Sequence, residues 1–73
     1  MIDIKLGTYR HYRGGLYEVV GVGRIEATLE EVVIYKSLYD SDFPKDSIWV
    51  RPIKEFFEVI EKDGKTLSRF TPL

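Results

Sequence analysis

Short apolar runs broken by glycine and proline recur along this chain, and the pattern predicts an all-β protein. The runs are rich in β-branched and aromatic side chains, which are the residues that strands favour. Polar residues alternate with apolar ones inside several runs, as in strands with one buried face. The pattern predicts five or six short strands, over about residues 8–12, 16–22, 31–38, 48–51, 56–61 and 66–70.

Glycine-containing turns predict two hairpins. Gly14-Gly15 separates the first two runs, and Asp63-Gly64 separates the last two. An Asp-Gly pair is a strong hairpin signal, because both central residues of a type I′ turn need positive φ. Gly21 and Gly23 lie inside the second run and predict a bulge or a sharp bend there.

The segment 28–38 fits two structures. Thr28 and Glu31 have the spacing of a helix capping box, and the apolar residues that follow would share one helical face. The run 32–35, however, holds three β-branched residues and a tyrosine, which are poor helix formers and good strand formers. We predict a turn over about 27–30 and a strand over 31–38, with a helix near 28–38 as the alternative.

The stretch Trp49-Val50-Arg51-Pro52 is the centre of the second half of the chain. Pro52 should end its strand, and the next three residues, 53–55, fit a single turn of 3₁₀-helix. We therefore predict one domain over 1–73, a small and strongly bent SH3-like barrel of five or six strands. The alternative is an α+β roll that contains the helix near 28–38.

Composition excludes several classes of chemistry and location. The chain of 73 residues is 44% apolar, which favours a globular domain. It has no cysteine, and so no disulfide, thiol nucleophile or thiolate zinc site. The start of the chain lacks the layout of a signal peptide, and no apolar run approaches the roughly 20 residues of a membrane span. We expect a cytoplasmic protein without a membrane segment.

The charges divide the chain into three parts. The net charge of −1 argues against indiscriminate binding to nucleic acid. Residues 26–47 carry six acidic and two basic side chains, and all five arginines lie outside that segment. We expect the acidic segment to be a solvated face, because runs of like charge are usually exposed.

Aromatic residues and arginines accompany one another on the predicted strands. Arginine stacks on aromatic rings and forms paired hydrogen bonds with carboxylates or phosphates, so such a set suits an anionic or aromatic ligand. The wider set consists of Tyr9, Tyr12, Tyr17, Tyr35, Tyr39, Trp49 and Phe70 with Arg10, Arg13, Arg51 and Arg69. The predicted ligand-binding residues are Tyr9, Arg10, His11, Tyr12, Arg13, Tyr35, Trp49 and Arg51. The structural alternative is that the rings are core and the arginines pair with Glu30, Glu31, Glu55 or Glu58.

Catalysis and metal binding receive little support. His11 is the only histidine, and nothing in the sequence gives it an orienting partner, although Glu58 could serve as one. No carboxylates lie at ligand spacing around it, so we predict no metal and no cofactor. An enzyme that uses His11 is a third hypothesis, which a pH-dependent turnover lost in His11→Ala would support.

Several motifs together resemble one bacterial family, the "domain of unknown function 1653". The resemblance runs from about residue 7 to residue 70. Its residues are Gly7-x-Tyr9-Arg10-His11-Tyr12-Arg13-Gly14-x-x-Tyr17-x-Val19, Thr28-x-Glu30, Val33-x-Tyr35-x-x-Leu38-Tyr39, Trp49-Val50-Arg51-Pro52-x-x-x-Phe56-x-Glu58 and Arg69-Phe70. The resemblance implies a bacterial protein and no particular activity. Ile25 stands where the family pattern has a histidine, so a role for that histidine cannot operate here.

Two hypotheses for function follow from these patterns. The first is a non-catalytic binding module with an aromatic and arginine-lined groove for a nucleotide, a nucleic acid or a peptide. The second is a protein–protein adaptor that uses strand edges and the acidic loop at 40–47. Both are compatible with a monomer or a weak dimer and with the absence of a membrane partner.

Overall fold

The computed structural model describes residues 4–73, and β-strands dominate them. The strands are β1 (Gly7–His11), β2 (Leu16–Arg24), β3 (Glu31–Ser37), β4 (Ile48–Pro52), β5 (Val59–Lys62), β6 (Lys65–Ser68) and β7 (Phe70–Pro72). One helix, α1 (Ile53–Phe56), follows β4 directly. Five strands form an antiparallel sheet in the order β4-β3-β2-β1-β7, and β5 pairs with β6 in a second sheet. The all-β prediction is confirmed.

The predicted hairpins and the predicted bulge are present. β1 pairs with β2 across the turn that contains Gly14, whose φ of +104° suits glycine. β5 pairs with β6 across Asp63 and Gly64, and both residues have positive φ. In β2 the register against β3 shifts between Val19 and Gly21, where the sequence predicted a bulge.

The ambiguous segment is a turn followed by a strand. The Leu29 and Thr28 amides both donate to the carbonyl of Ile25, and Leu29 has a φ of +64°, which no helix accommodates. The Thr28 hydroxyl accepts a hydrogen bond from the Glu30 amide, so it closes the turn and caps no helix. The predicted turn and the strand that follows it are confirmed, and the helix near 28–38 is absent.

The chain leaves β4 through a single helical turn. Pro52 precedes α1 with a φ of −53°, the value its ring imposes. The Phe57 amide donates to the carbonyl of Ile53, four residues earlier, and this bond makes the turn α-helical where the sequence predicted 3₁₀. At four residues, this helix of the described chain is far too short to cross a membrane.

The main sheet is not closed into a barrel. Within residues 4–73 its edge strands are β4 and β7, and no strand pairing joins them. The two strands that could complete a barrel, β5 and β6, pair with each other across their tight Asp-Gly turn. The sequence predicted β1 to β4 and the turns correctly. The predicted strand 56–61 begins only at Val59, because Phe56 belongs to α1, and the predicted strand 66–70 is divided into β6 and β7. The closure of the barrel depends on long-range pairings that no local pattern specifies.

The core lies on one face of the main sheet, which we call the inner face. The buried apolar residues of this core are Tyr9, Val19, Val33, Tyr35, Ile53, Phe56 and Phe70. The rings of Phe56 and Phe70 stack with centroids 4.2 Å apart and planes within 4° of parallel. The edges of Tyr9 and Tyr35 pack against Phe56 at 5.5 and 5.6 Å. Because Phe56 lies in α1 and Phe70 in the edge strand β7, the stack fixes α1 onto the sheet.

Replacement of Phe56 by alanine should therefore remove most of the stability of the domain. Phe56 is fully buried, and a Phe→Ala change at such a site costs about 3–5 kcal/mol. Its neighbour Phe57 is 43% exposed and provides a matched control, for which we expect less than about 1 kcal/mol. Urea unfolding followed by Trp49 fluorescence measures both variants. Equal losses for the two phenylalanines would contradict this assignment of the core.

Candidate ligand-binding site

Strand register decides which of the predicted ligand-binding residues share a face. Tyr35 pairs with both Val19 and Trp49, and Arg51 pairs with Val33, so Trp49 and Arg51 lie on the inner face with the core. Tyr9 and His11 alternate with Arg10 along β1. Tyr9 is buried in the core, so His11 shares the inner face and Arg10 lies on the opposite, outer face.

Two of the predicted aromatic residues mainly support the fold. Tyr9 is only 3% exposed, and its hydroxyl donates to the Lys5 carbonyl at 2.8 Å. Trp49 is half-buried and packs edge-on against Phe43, with ring centroids 5.0 Å apart. Tyr9 therefore offers a ligand almost no surface, whereas Trp49 keeps part of its ring accessible.

The turn after β1 places two further predicted residues beside His11. The Tyr12 ring lies 4.6 Å from the His11 ring, measured between centroids. The Arg13 guanidinium lies 5.6 Å from the Tyr12 centroid, within the range of a cation–π contact. Lys62, at the end of β5, approaches the same ring at 5.9 Å.

Polar and aromatic side chains gather around His11 on the inner face, and their burial ranges from the buried Tyr35 to the exposed Tyr39. We call this group the His11 cluster; its members are His11, Tyr17, Tyr35, Tyr39, Arg51 and Arg69. The buried ring of Phe70 forms its floor and contacts the rings of His11, Tyr17 and Tyr35 at centroid distances of 5.0–5.6 Å. Three of the predicted residues, His11, Tyr35 and Arg51, thus lie together, although Tyr35, at 5% exposure, offers a ligand almost as little surface as Tyr9 does.

Two tyrosine hydroxyls form one wall of the cluster. The hydroxyl oxygens of Tyr17 and Tyr39 lie 2.6 Å apart, within hydrogen-bond distance. Tyr39 also lies against Gly15, where an added Cβ would come within 2.9 Å of the tyrosine ring and hydroxyl. Gly15 therefore leaves room for Tyr39, and a larger residue would push the ring away.

Two arginines enter the cluster already paired with acids. The Arg51 side chain donates to the Tyr35 hydroxyl at 3.5 Å and to the Glu55 carboxylate at 3.4 Å. The Arg69 side chain donates to the Glu55 carbonyl at 3.2 Å and forms an ion pair with Glu58. These contacts match the structural alternative for Arg51 and Arg69, and they also hold both guanidiniums beside the rings.

The surroundings of His11 disfavour its protonated, positively charged form. Its Nδ1 accepts a hydrogen bond from the Arg13 amide at 3.1 Å, so in the neutral ring the proton is on Nε2. Burial lowers the pKa of His11, and the positive charges of Arg69, Arg13 and Arg51 lower it further. The imidazole is therefore neutral at pH 7 and lies in a positive local field.

Tyr17 stays protonated. Burial raises the pKa of Tyr17 first, and the hydrogen bond to Tyr39 raises it further, while the charge of Arg51 opposes this shift. Its hydroxyl is thus a hydrogen-bond donor or acceptor at physiological pH and not a base. Together with the arginines, the cluster offers donors and aromatic edges to a ligand.

Other parts of the described chain offer less. A shallow depression lined by Val22, Gly23, Arg24 and Glu31 lies at the far end of β2 and β3, roughly 20 Å along the strand from Tyr17. Within residues 4–73, no three histidine, cysteine or acidic side chains are placed to hold a metal ion together.

Alternation along single strands was enough to predict some residues of the His11 cluster. The other residues join the cluster only through the pairing register of distant strands. Tyr17, Tyr39 and Arg69 belong to the wider aromatic–arginine set but not to the predicted site. Tyr17 lies directly opposite Tyr9 in the β1–β2 pairing, and the Arg69 carbonyl accepts from the Tyr12 amide. Neither contact is visible without the pairing of the strands.

Comparison with known proteins identifies relatives of unknown function. The family model described as "Protein of unknown function (DUF1653)" matches residues 7–72. A crystal structure of a protein of the same family from Bordetella bronchiseptica is similar, with a TM-score of 0.87 and 30% sequence identity. The similarity covers 97% of this chain and 88% of the Bordetella chain. No curated protein matches the sequence.

The charges around His11 should be measurable through its titration. We expect an imidazole pKa below about 6.5 in the native protein, and a higher value in Arg13→Met, because one of the opposing charges is removed. Arg10→Met is the matched control on the outer face and should leave the His11 pKa unchanged. NMR titration of the imidazole protons gives all three values.

The same shift makes stability depend on pH. The folded pKa of His11 is lowered, so as pH falls below about 6.5 the unfolded chain takes up the proton first and the free energy of unfolding decreases. The decrease should continue until the folded pKa is reached, and it should be smaller in Arg13→Met. A pKa for His11 above that of a free histidine would contradict the positive field.

Proposed function

We propose that this chain, which belongs to the DUF1653 family of proteins of unknown function, is a small binding module for a ligand with a phosphate group and a planar ring. A nucleotide, free or at the end of a nucleic-acid strand, has this chemistry. The proposed site is the His11 cluster, with Tyr12, Arg13 and Trp49 at its margins.

The observation that carries the proposal is the concentration of positive charge around a half-buried, neutral histidine. Arg69, Arg13 and Arg51 all act on the pKa of His11 in the same direction. An anion bound among these groups would reverse that effect, because it favours the protonated imidazole. Binding would therefore favour proton uptake at Nδ1, in exchange for the hydrogen bond from the Arg13 amide. The Nε2–H group of His11 is a donor to the anion in either protonation state.

The aromatic members suit the second part of such a ligand. The rings of Tyr17 and Tyr39 pack edge to face with centroids 5.6 Å apart, and their hydroxyl groups lie next to each other. Every nucleobase has a π-face that stacks on an aromatic ring, at about 1–3 kcal/mol per base. The half-buried Trp49 lies opposite Tyr35 in the pairing of β4 with β3 and adds a further ring at the margin of the site.

The acids that now pair with the arginines do not prevent this role. Glu55 and Glu58 are about half exposed, and ion pairs at such positions are weak because water screens them. A phosphate offers an arginine two parallel hydrogen bonds and more negative charge than one carboxylate. Ligand binding would replace the Glu55 and Glu58 carboxylates by the phosphate as partners of the two arginines, and the backbone of these arginines would not need to move.

We propose further that the module binds its ligand without transforming it. His11 is the single histidine of the chain, and its Nδ1 is already occupied by the Arg13 amide. Tyr17 holds its proton, and no acid among the described contacts orients His11 for proton transfer. A bacterial cytoplasm remains the proposed location.

The adaptor hypothesis for the acidic loop at 40–47 has less support. The Asp40 carboxylate accepts the Lys45 amide at 2.7 Å, and Asp46 lies 3.8 Å from the Lys36 ammonium. These acids already stabilise the loop and its attachment to β3, so a basic partner would have to compete with internal contacts.

Titration of the labelled protein with inorganic phosphate and with adenosine and uridine monophosphates tests the proposal. We expect amide shifts clustered on residues 11–17, 39, 51 and 69, and an upward shift of the His11 pKa on binding. Arg51→Met should weaken binding at least about tenfold, or about 1.4 kcal/mol, because a charged hydrogen-bond donor to the anion is lost. Arg10→Met, on the outer face, should bind as the unchanged protein does.

Three results would count against the proposal. The first is a flat response to phosphate and to both nucleotides, and the second is an equal loss in Arg51→Met and Arg10→Met. The third is a fall of more than a few degrees in the melting temperature of Arg51→Met, which would make Arg51 a structural residue. If the amide signals shift with a peptide carboxylate and with no phosphate compound, the ligand of the site is a peptide and not a nucleotide.

A further inference from the structure

The edge of the main sheet at β4 carries an apolar surface that faces away from the core. Ile48 and Val50 are 61% and 59% exposed, and they alternate with the inner residues Trp49 and Arg51. They lie opposite Lys36 and Ile34 of β3, on the outer face. Beyond Ile34, β2 contributes Gly21, which has no side chain to cover it. An apolar stripe therefore runs to the sheet edge.

The backbone at this edge has unpaired hydrogen-bonding groups. Within residues 4–73, β4 pairs only with β3, so alternate residues of β4 direct their N–H and C=O groups outward. The Ser37 amide donates to the Ser47 carbonyl, which makes that pair a hydrogen-bonded one. Because hydrogen-bonded pairs alternate along an antiparallel ladder, the backbone groups of Trp49 and Arg51 bond to β3. The backbone groups of Ile48, Val50 and Pro52 point towards the open edge.

Pro52 fits this arrangement. Proline within a sheet is tolerated where its missing N–H would have faced away from the neighbouring strand. The open edge therefore presents donors at Ile48 and Val50 and acceptors at Ile48, Val50 and Pro52. β4 carries no charged side chain on its outer face, although lysines commonly protect such edges from pairing.

The other strand edges of the described chain are better protected. β7 has three residues and ends at Pro72. The strands β5 and β6 carry Glu61, Lys62 and Lys65 around their turn, and charges of this kind oppose pairing with another chain. The edge of β4 is thus the one best suited to accept a further strand.

We infer that β4 pairs antiparallel with β4 of a second copy of this chain, about a two-fold axis at Val50. This register pairs the whole strand, with Val50 opposite Val50 and Ile48 opposite Pro52. It forms four backbone hydrogen bonds, two between the Val50 residues and one from each Ile48 amide to the opposite Pro52 carbonyl. The result is a continuous ten-stranded sheet whose two apolar stripes join.

The side chains are self-complementary in the same register. On the inner face, Arg51 of one copy lies opposite Trp49 of the other, at the cross-strand spacing that allows a cation–π contact. On the outer face, the Val50 and Ile48 side chains of both copies lie next to one another. Each end of β4 is flanked by one lysine and one acid (Lys45 and Asp46 before it, Lys54 and Glu55 after it), so no block of like charge meets its equal.

The dimer should be weak and reversible. A five-residue strand with its stripe buries less than the roughly 1,200 Å² typical of stable complexes, so we expect a dissociation constant between about 10 μM and about 1 mM. This inference does not depend on the ligand site, although Arg51 and Trp49 border both surfaces, because it rests on the open edge of β4 and its test substitutes Val50 on the outer face.

Sedimentation equilibrium over that concentration range tests the inference with a matched pair of variants. Val50→Lys places a charge at the two-fold axis and should raise the dissociation constant at least about tenfold. Val59→Lys is the control, because Val59 is also an exposed valine on a strand, with the same 59% exposure. It should leave the association unchanged. NMR on a mixture of labelled and unlabelled protein should show contacts between Ile48 of one copy and Pro52 of the other.

A monomer throughout the concentration range would overturn the inference. So would association that persists in Val50→Lys or is lost equally in Val59→Lys, since either result would assign the contact to another surface. Phosphate titration of Val50→Lys provides the separate check on the ligand site and on the fold. At concentrations well below the dissociation constant, where both proteins are monomers, it should match the unchanged protein.

Discussion

The stack of Phe56 on Phe70 is the contact on which the rest of this small domain depends. A single helical turn has no stability of its own, since helix formation needs many more residues to offset its nucleation cost. α1 is therefore held by the burial of Ile53 and Phe56 against the sheet. β7, with only three residues, is held through Phe70 in the same way. One ring pair thus joins α1, which covers part of the inner face, to the edge strand β7.

The same stack positions the charged residues of the ligand site. Arg51 immediately precedes the turn into α1, Glu55 lies within α1, and Arg69 immediately precedes Phe70. Their mutual contacts, Arg51 with Glu55 and Arg69 with the Glu55 carbonyl, require α1 and the chain before β7 to be in register. The positive field at His11 is consequently a product of aromatic packing. A core substitution would alter it without touching a charge.

Local patterns were sufficient for most of the fold and for part of the site. Most of the strands, the Asp63-Gly64 hairpin and the bulge before Gly21 follow from residues adjacent in sequence, because turn chemistry and period-two alternation act locally. The edge strand β7 is the exception, since its pairing with β1 joins distant segments. Barrel closure and the inclusion of Tyr17 and Arg69 in the cluster depend on pairings between distant segments. Alternation alone also separates Arg10 from the other predicted ligand-binding residues of β1. Arg10 lies between Tyr9 and His11, so it is on the opposite face of the sheet.

Alternation also explains how one strand of five residues serves two surfaces. The odd positions of β4, Trp49 and Arg51, face the aromatic and basic cluster, and the even positions face the solvent with apolar side chains. The two surfaces share only the backbone between them. A second copy paired at the open edge would hold that backbone with four added hydrogen bonds and would reduce the freedom of Arg51 before any ligand arrives. Because a site whose donors are already ordered loses less entropy on binding, self-association through Val50 would favour anion binding at His11, and anion binding would favour self-association in equal measure.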